Sequence, residues 1–225
     1  VGSEMCIRDR FDAIMFGNEN DRPYQLNVDT ASTAAAAYII GELKRDIKIP
    51  FGVDMLWDPM ATIALGTATK ANFVREIFTG TYSSDMGIWA PNAGEALRYK
   101  QNLGSEEMLL LFNISAEFAY SQDRRPLTDR ARSVVFSSLP DAILVSGQIT
   151  GEAASINDLI SVKKALPNTP VLANTGVKHD TVTQVLTTAD GCIVGSSLKE
   201  DGDTWKPVNP ERAIEFMNIV NKFRT

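Results

Sequence analysis

The chain has 225 residues, 44% of them hydrophobic and 22% charged, with a formal net charge of −6. That length suits one large α/β domain or two small ones and is enough to bury a real core. The acidic balance argues against nucleic acid or a polybasic membrane surface as partner, and no apolar run approaches the ~20 residues of a membrane span.

The first ten residues, VGSEMCIRDR, carry no apolar period and no cap or turn pattern that leads into Phe11 and beyond. They read as the in-frame translation of a transposon sequencing adapter and are set apart from the fold, as an expression tag would be. The natural start is therefore expected upstream. With Cys6 in that stretch, Cys192 is the one remaining cysteine, so no disulfide is expected and a reducing cytoplasm fits.

FDAIMFGNEN (11–20) reads as a buried strand with a polar end. TASTAAAAYIIGELKRDI (30–47) reads as a helix that Asp29 or Thr30 caps. IPFGVDMLWDP (49–59) is a strand running into Asp58-Pro59, and the proline begins the helix MATIALGTATKA. NFVREIFTG (72–80) is the next strand; a polar loop, TYSSDMGIWAPN, leads to the helix AGEALRYKQNLG. MLLLFNISAE (108–117) is a strand, and PLTDRARSVVFSS a helix with Thr128 or Asp129 near its start. DAILVSG (141–147) is followed by the helix SINDLISVKKAL, which Ser155 caps. PVLANTG (170–176) precedes the helix KHDTVTQVLTT, and DGCIVGSS (190–197) is the last strand. A helix from about Pro210 to Phe223 begins at Asn209-Pro210-Glu211.

This is strand and helix in alternation, with the near-continuous apolar strands that parallel sheets bury. Polar residues gather at the C-terminal ends of the strands, where a (β/α)₈ barrel builds its site. About seven strands are counted, so the fold expected is an α/β TIM barrel, N-terminally truncated by one β/α unit, over residues 11–225. A gap between the first and last strands, and a tendency to aggregate, are expected with it. A doubly wound sheet is the competing fold, but its Gly-rich first turn is missing.

The loops after the last two strands carry Asn174, Thr175 and Gly176, then Gly195 and Ser196. Glycine lets the backbone approach an anion, and free N–H groups can hold it, so these five are the candidate phosphate-binding residues. Glu19, Asp54 and Glu117 are the candidate acid–base groups, with Arg75 as an ion-pair partner or a clamp on a substrate anion. Asn113, Ser146, Gly147 and Asp85 are candidate substrate contacts. Oxygen ligands of this kind would take a hard cation such as Mg²⁺, though no ligand-spaced motif is present and no cofactor is otherwise expected. His179, the single histidine, is expected to face solvent, and Cys192 to be inert within an apolar strand. The loop from Gly80 to Trp89 reads either as a lid or as a fixed loop with Trp89 packed on the barrel rim.

FGVDMLWDP, NFVREIFTGTYSSDMGIW, GEALRYKQNLG, LFNISAE, ILVSGQITG, VLANTGV and ADGCIVGSSLKEDG together resemble the BtpA/SgcQ family, the SgcQ-like branch most closely. The resemblance covers essentially everything from Phe11 onward. It implies a ribulose-phosphate-binding-type TIM barrel with a further strand and helix upstream, and an association with carbohydrate utilisation. Many BtpA-branch members carry a basic Lys-His type sequence after the fifth strand. Here the stretch reads Asn113 to Glu117, so a base there would be Glu117. The function expected is an isomerase, epimerase or lyase acting on a small phosphorylated metabolite in the cytoplasm, with a homo-oligomer as an open question. The alternative is a non-catalytic metabolite- or partner-binding barrel, such as a photosystem I biogenesis factor of the BtpA type.

Overall fold

The computed structural model describes residues 11–225; the adapter reading of Val1–Arg10 lies outside the described residues. β1 (Ile14–Gly17) leads to α1 (Thr30–Leu43), and β2 (Phe51–Asp54) to α2 (Pro59–Thr69). β3 (Phe73–Glu76) leads through the short strands β4 (Tyr82–Ser84) and β5 (Gly87–Trp89) to α3 (Ala93–Asn102). β6 (Leu109–Asn113) leads through β7 (Ala119–Ser121) to α4 (Leu127–Ser138). β8 (Ala142–Val145) precedes α5 (Ile156–Ala165), β9 (Val171–Ala173) precedes α6 (Val182–Thr188), and β10 (Gly191–Cys192) precedes α7 (Pro210–Arg224).

Seven strands form one parallel sheet in the order β1-β2-β3-β6-β8-β9-β10. A doubly wound sheet reverses its strand order partway; this one keeps the order of the chain from end to end and curls, as a TIM barrel does. Among the described residues β1 and β10 pair on one side only. The strands are shorter than their apolar runs, and the last is two residues long before the backbone turns into a 3₁₀ helix at Ser196–Leu198.

Side-chain caps start most helices where the sequence places them. Asp29 Oδ1 accepts from Ser32 N at 2.8 Å at the start of α1. Asp58 Oδ1 accepts from both Met60 N and Ala61 N at 3.0 Å, with Pro59 in the first helical position. Ser155 and Asn209 cap α5 and α7 in the same way. α4 is different: its cap position is Pro126, with no side-chain acceptor, and Asp129 instead lies in the first turn, where its charge suits the helix dipole.

Alternation along the strands divides the sheet into two faces. Val53, Val74, Phe112, Ile143, Val145 and Val171 point outward and are fully enclosed by Ile63, Leu65, Leu159, Val162 and other helix residues. Each such side chain contributes about 1.5–3 kcal/mol on burial. Met15, Phe73, Leu111 and Leu172 have the opposite phase and are only half-buried, because the sheet does not close around them. The Phe73 ring packs against Gly52, where a Cβ would sit 2.1 Å from it, so a larger residue opposite Phe73 on β2 would force that ring to move.

The stretch read as a polar loop, 81–92, is not irregular. β4 pairs antiparallel with β5 on one side and with β7 on the other, so the loops after β3 and β6 share one small sheet. Tyr82 and Trp89 face inward from it onto Leu56, Trp57, Ile77 and Ala116, forming a second core above the barrel. Trp89 is 8% exposed, so of the two readings of this loop the structure holds the packed one.

Candidate active site

The C-terminal ends of β2, β3, β6, β8 and β9 and the loops just beyond them hold one hydrogen-bonded polar cluster. Asp54 and Arg75 stand at the same register level near the ends of β2 and β3, so both project to the inner face. Arg75 Nη1 donates to Asp54 Oδ2 at 2.6 Å, and Nη2 donates to Glu117 Oε1 at 2.8 Å. Ser146 Oγ and Asn174 Nδ2 each donate to the same Glu117 oxygen at 3.0 Å. Asn174 Nδ2 also reaches Ser146 Oγ at 2.7 Å, and Asn113 Nδ2 reaches it at 2.9 Å. Arg75, Asp54 and Glu117 are all buried, at 8%, 1% and 4% exposure.

Burial in this setting decides the charges. Removal from water pushes the Asp54 carboxyl up to about 7; Arg75 opposes the shift, and the nearby charges of Glu117 and Glu19 add to it. Burial alone would lower the Arg75 guanidinium, but Asp54 and Glu117 hold it above its ordinary value, so it stays charged. Glu76, next along β3, is raised well above the carboxylate range by burial and by Asp54. Its Oε2 accepts from Ile77 N at 2.8 Å, while Oε1 has no partner among the described residues. Asp54 Oδ1, Arg75 Nε and Asn174 Oδ1 are enclosed without partners as well.

Glu117 is used unequally. Oε1 accepts three hydrogen bonds. Among the described residues Oε2 accepts none, and it is not one of the enclosed partnerless atoms, so it is the oxygen left open to a ligand.

The remaining candidates lie around this cluster. Glu19 is half-buried in the loop after β1, and its backbone carbonyl accepts from Tyr24 Oη at 2.8 Å. Thr175 Oγ1 accepts from Gly147 N at 2.6 Å, which joins the loops after β8 and β9. Gly176 has φ +66, and a Cβ there would lie 2.1 Å from Ala153 N, so this turn requires glycine for both reasons. Ser196 Oγ is paired with Thr204 Oγ1 at 2.7 Å, and Gly195 is exposed with open space beside it. The N–H groups of Gly176, Gly195 and Ser196 donate to no acceptor among the described residues. Asp85 sits exposed in the turn between β4 and β5, and no hydrogen bond joins it to the cluster. Among the described residues, no group of three or more His, Cys, Asp or Glu side chains is placed to hold a metal ion.

His179 does not face solvent as expected. Its Nδ1 lies 3.0 Å from Ser197 Oγ and its Nε2 2.8 Å from the Arg212 carbonyl, with the ring edge-on to Phe216 at 5.3 Å. The carbonyl can only accept, so Nε2 carries the proton. The turn after β9 folds back onto α7, and sequence position alone does not show that contact. Cys192 lies in β10, half-buried, and burial pushes its thiol up to about 11.

Three aromatic residues beside the cluster have no counterpart among the sequence candidates. The rings of Tyr24, Trp57 and Phe118 meet pairwise at 6.0–6.3 Å between centroids. Tyr24 and Phe118 are legible in the sequence only as neighbours of acids: Phe118 directly follows Glu117, and Tyr24 lies five residues past Glu19.

A curled parallel sheet with a polar cluster at its C-terminal edge defines a TIM-barrel protein. Within that class the chain belongs to the BtpA family, whose family pattern matches residues 5–222. It is 45% identical to the putative sgc region protein SgcQ of Escherichia coli (strain K12) over 95% of this chain and 80% of that protein. It is 30% identical to the photosystem I biogenesis protein BtpA of Synechocystis sp. over 93% of this chain and 74% of that one. Its backbone is similar to that of (S)-3-O-geranylgeranylglyceryl phosphate synthase from Thermoplasma acidophilum, solved in complex with sn-glycerol-1-phosphate. That match has a TM-score of 0.64 at 12% identity, covering 98% of this chain and 87% of that one.

Proposed function

We propose that this chain is an enzyme that moves protons on a small phosphorylated sugar or related metabolite, as an isomerase, epimerase or lyase does. The observation that carries the reading is the Asp54–Arg75–Glu117 cluster, in which one carboxylate oxygen is left open while its twin is held by three donors. Glu117 Oε2 is the base. The three donors on Oε1 fix the carboxylate plane, so the open oxygen is aimed before substrate arrives. Asp54, pushed up to about 7, is the group that carries a proton near neutral pH. Arg75 balances the charge left on the cluster as the proton moves, and Glu19 closes its open side. Asn113, Ser146 and Gly147 line the approach. No step is assigned to a metal ion.

The phosphate would rest on Asn174, Thr175, Gly176, Gly195 and Ser196, of which Gly176, Gly195 and Ser196 have backbone N–H groups without an acceptor among the described residues. A barrel of similar backbone is solved with a phosphorylated three-carbon ligand, and this supports the same class of substrate here. The reading assigns the protein to the cytoplasm and leaves a homo-oligomer open; no helix among the described residues is long and apolar enough to cross a membrane.

The test is solvent-proton exchange into a panel of sugar phosphates in deuterated buffer, read by NMR. Wild type is expected to exchange a carbon-bound proton, and Glu117→Gln to lose at least about 100-fold in rate, the usual contribution of a positioned base. Exchange that survives Glu117→Gln undiminished would assign the base elsewhere. No exchange with any ester of the panel, together with co-purification of a stable protein partner, would favour a non-catalytic barrel.

A further inference from the structure

The loops after β1, β2 and β6 share a pattern that acid–base chemistry alone does not use. Each pairs one carboxylate with one aromatic ring: Glu19 with Tyr24, Asp54 with Trp57, Glu117 with Phe118. The three rings converge. Trp57 stands edge-on to both others, at 6.3 Å from Tyr24 with 90° between planes and at 6.0 Å from Phe118 with 75°. Tyr24 and Phe118 are tilted by 48° at 6.2 Å. Trp57 is 1% exposed and acts as the wedge behind the other two, whereas Phe118 is 37% exposed and presents its ring to solvent.

Phe118 is held in that position at some cost. Its φ is +56, a conformation that bulky side chains rarely adopt. Its N–H donates to the Gln148 carbonyl at 2.8 Å, which pins the residue from the loop after β8. Phe118 directly follows Glu117, whose Oε2 accepts no hydrogen bond among the described residues although the residue is only 4% exposed, and Tyr24, whose ring meets that of Phe118, feels the Glu117 charge. Tyr24 belongs to the same corner: burial and the charges of Glu19 and Glu117 raise its phenol above the ordinary value.

We infer that Phe118, backed by Tyr24 and Trp57, is a platform for the C–H face of a sugar ring whose hydroxyl edge donates to Glu117 Oε2, so the substrate is captured in cyclic form and its ring opens before the same oxygen takes a carbon-bound proton. The physical basis is complementarity. An aromatic face is negative and attracts the slightly positive C–H groups on one side of a sugar ring. The open carboxylate oxygen beside it requires an O–H donor at the rim of the same ring, which a plain aromatic ligand lacks and an open-chain polyol does not hold rigidly. The inference rests on the phosphometabolite reading for the class of ligand but not for the platform itself.

Titration calorimetry on the full chain separates the two. The ligands are a methyl glycoside phosphate, the alditol phosphate of the same carbon count, phenyl phosphate, the unphosphorylated methyl glycoside and inorganic phosphate. The cyclic phosphate is expected to bind more tightly than the alditol phosphate. Phe118→Leu is expected to weaken the cyclic ligand by roughly three- to tenfold, the size of one lost aromatic contact, and to leave the alditol unchanged. Phe118→Trp, with a larger ring and the same backbone demand, is expected to keep the preference and guards against a variant that merely misfolds. Equal binding of ring and open chain, equal loss of both in Phe118→Leu, tightest binding of phenyl phosphate, or no binding of any cyclic ligand would each overturn the platform. If the unphosphorylated glycoside binds through Phe118 while no phosphate ester binds, the platform stands and the phosphate reading fails. If phosphate esters bind whatever their shape, the reverse holds.

Discussion

Asp54 and Glu76 give the clearest consequence at the scale of single residues, because a buried carboxyl couples stability to pH. In the unfolded chain both ionise in the ordinary carboxylate range; in the folded protein Asp54 holds its proton to about 7, and Glu76 is raised well above that ordinary range. Over the interval between, the folded state binds protons the unfolded state has released, so rising pH favours unfolding. The stability these groups contribute is complete below the ordinary carboxylate range and is lost as pH climbs to about 7 and beyond. Urea midpoints are therefore expected to fall between pH 5 and pH 8. Glu76→Gln, which keeps an acceptor for Ile77 N, is expected to raise the midpoint at pH 8 while leaving it nearly unchanged at pH 5. A wild-type midpoint independent of pH would mean that water reaches these carboxyls.

At the scale of elements, the two acidic caps look alike in sequence and differ in structure. Asp29 caps the exposed start of α1 and serves that helix alone. Asp58 caps α2 with Oδ1 and at the same time accepts from Val28 N with Oδ2 at 3.0 Å, tying the loop after β1 to the second β/α unit. Asp58→Ala is expected to cost about 2 kcal/mol and Asp29→Ala about 0.5–1 kcal/mol by chemical denaturation. Equal costs would mean that the Val28 contact contributes nothing. The same contrast shows what a sequence can reveal. Caps, strand–helix alternation and the polar ends of β2, β3 and β6 are local signals, and Asp54, Arg75 and Glu117 are legible from them. β4 and β7 are three residues each, and β4 meets β7 across more than thirty residues, so no local period announces their pairing. The solvent-facing reading of His179 fails for the same reason, since its partners lie on α7 and on the 3₁₀ turn after β10. The phosphate-binding role of Gly176 and Gly195 stays a proposal, although the glycine at 176 is explained by its turn and by the Ala153 backbone against it.

Across the whole molecule, the segments flanking the sheet's two outer strands meet through side chains, and among the described residues no ladder joins those strands. At one end Arg224 bridges to Asp12 at 2.5 Å; at the other the Arg22 guanidinium lies 3.6 Å above the Trp205 ring. Exposed pairs of this kind contribute little, on the order of 1 kcal/mol or less each. Amides of β1 and β10 are therefore expected to exchange with deuterium well before those of β3, β6 and β8, and light scattering is expected to show association that grows with protein concentration. Uniform exchange across the seven strands would show that the sheet's flanks are as firmly held as its middle. The ribbon of β5, β4 and β7 has the opposite character. Barrel enzymes change specificity readily because each rim segment can be edited alone. Here two rim segments are stitched together, so an insertion at residue 85 would be transmitted to residue 118. Variation in this lineage is then steered toward the segments outside this shared sheet, after β1, β8 and β10, and a comparison of insertion sites among relatives would find them there.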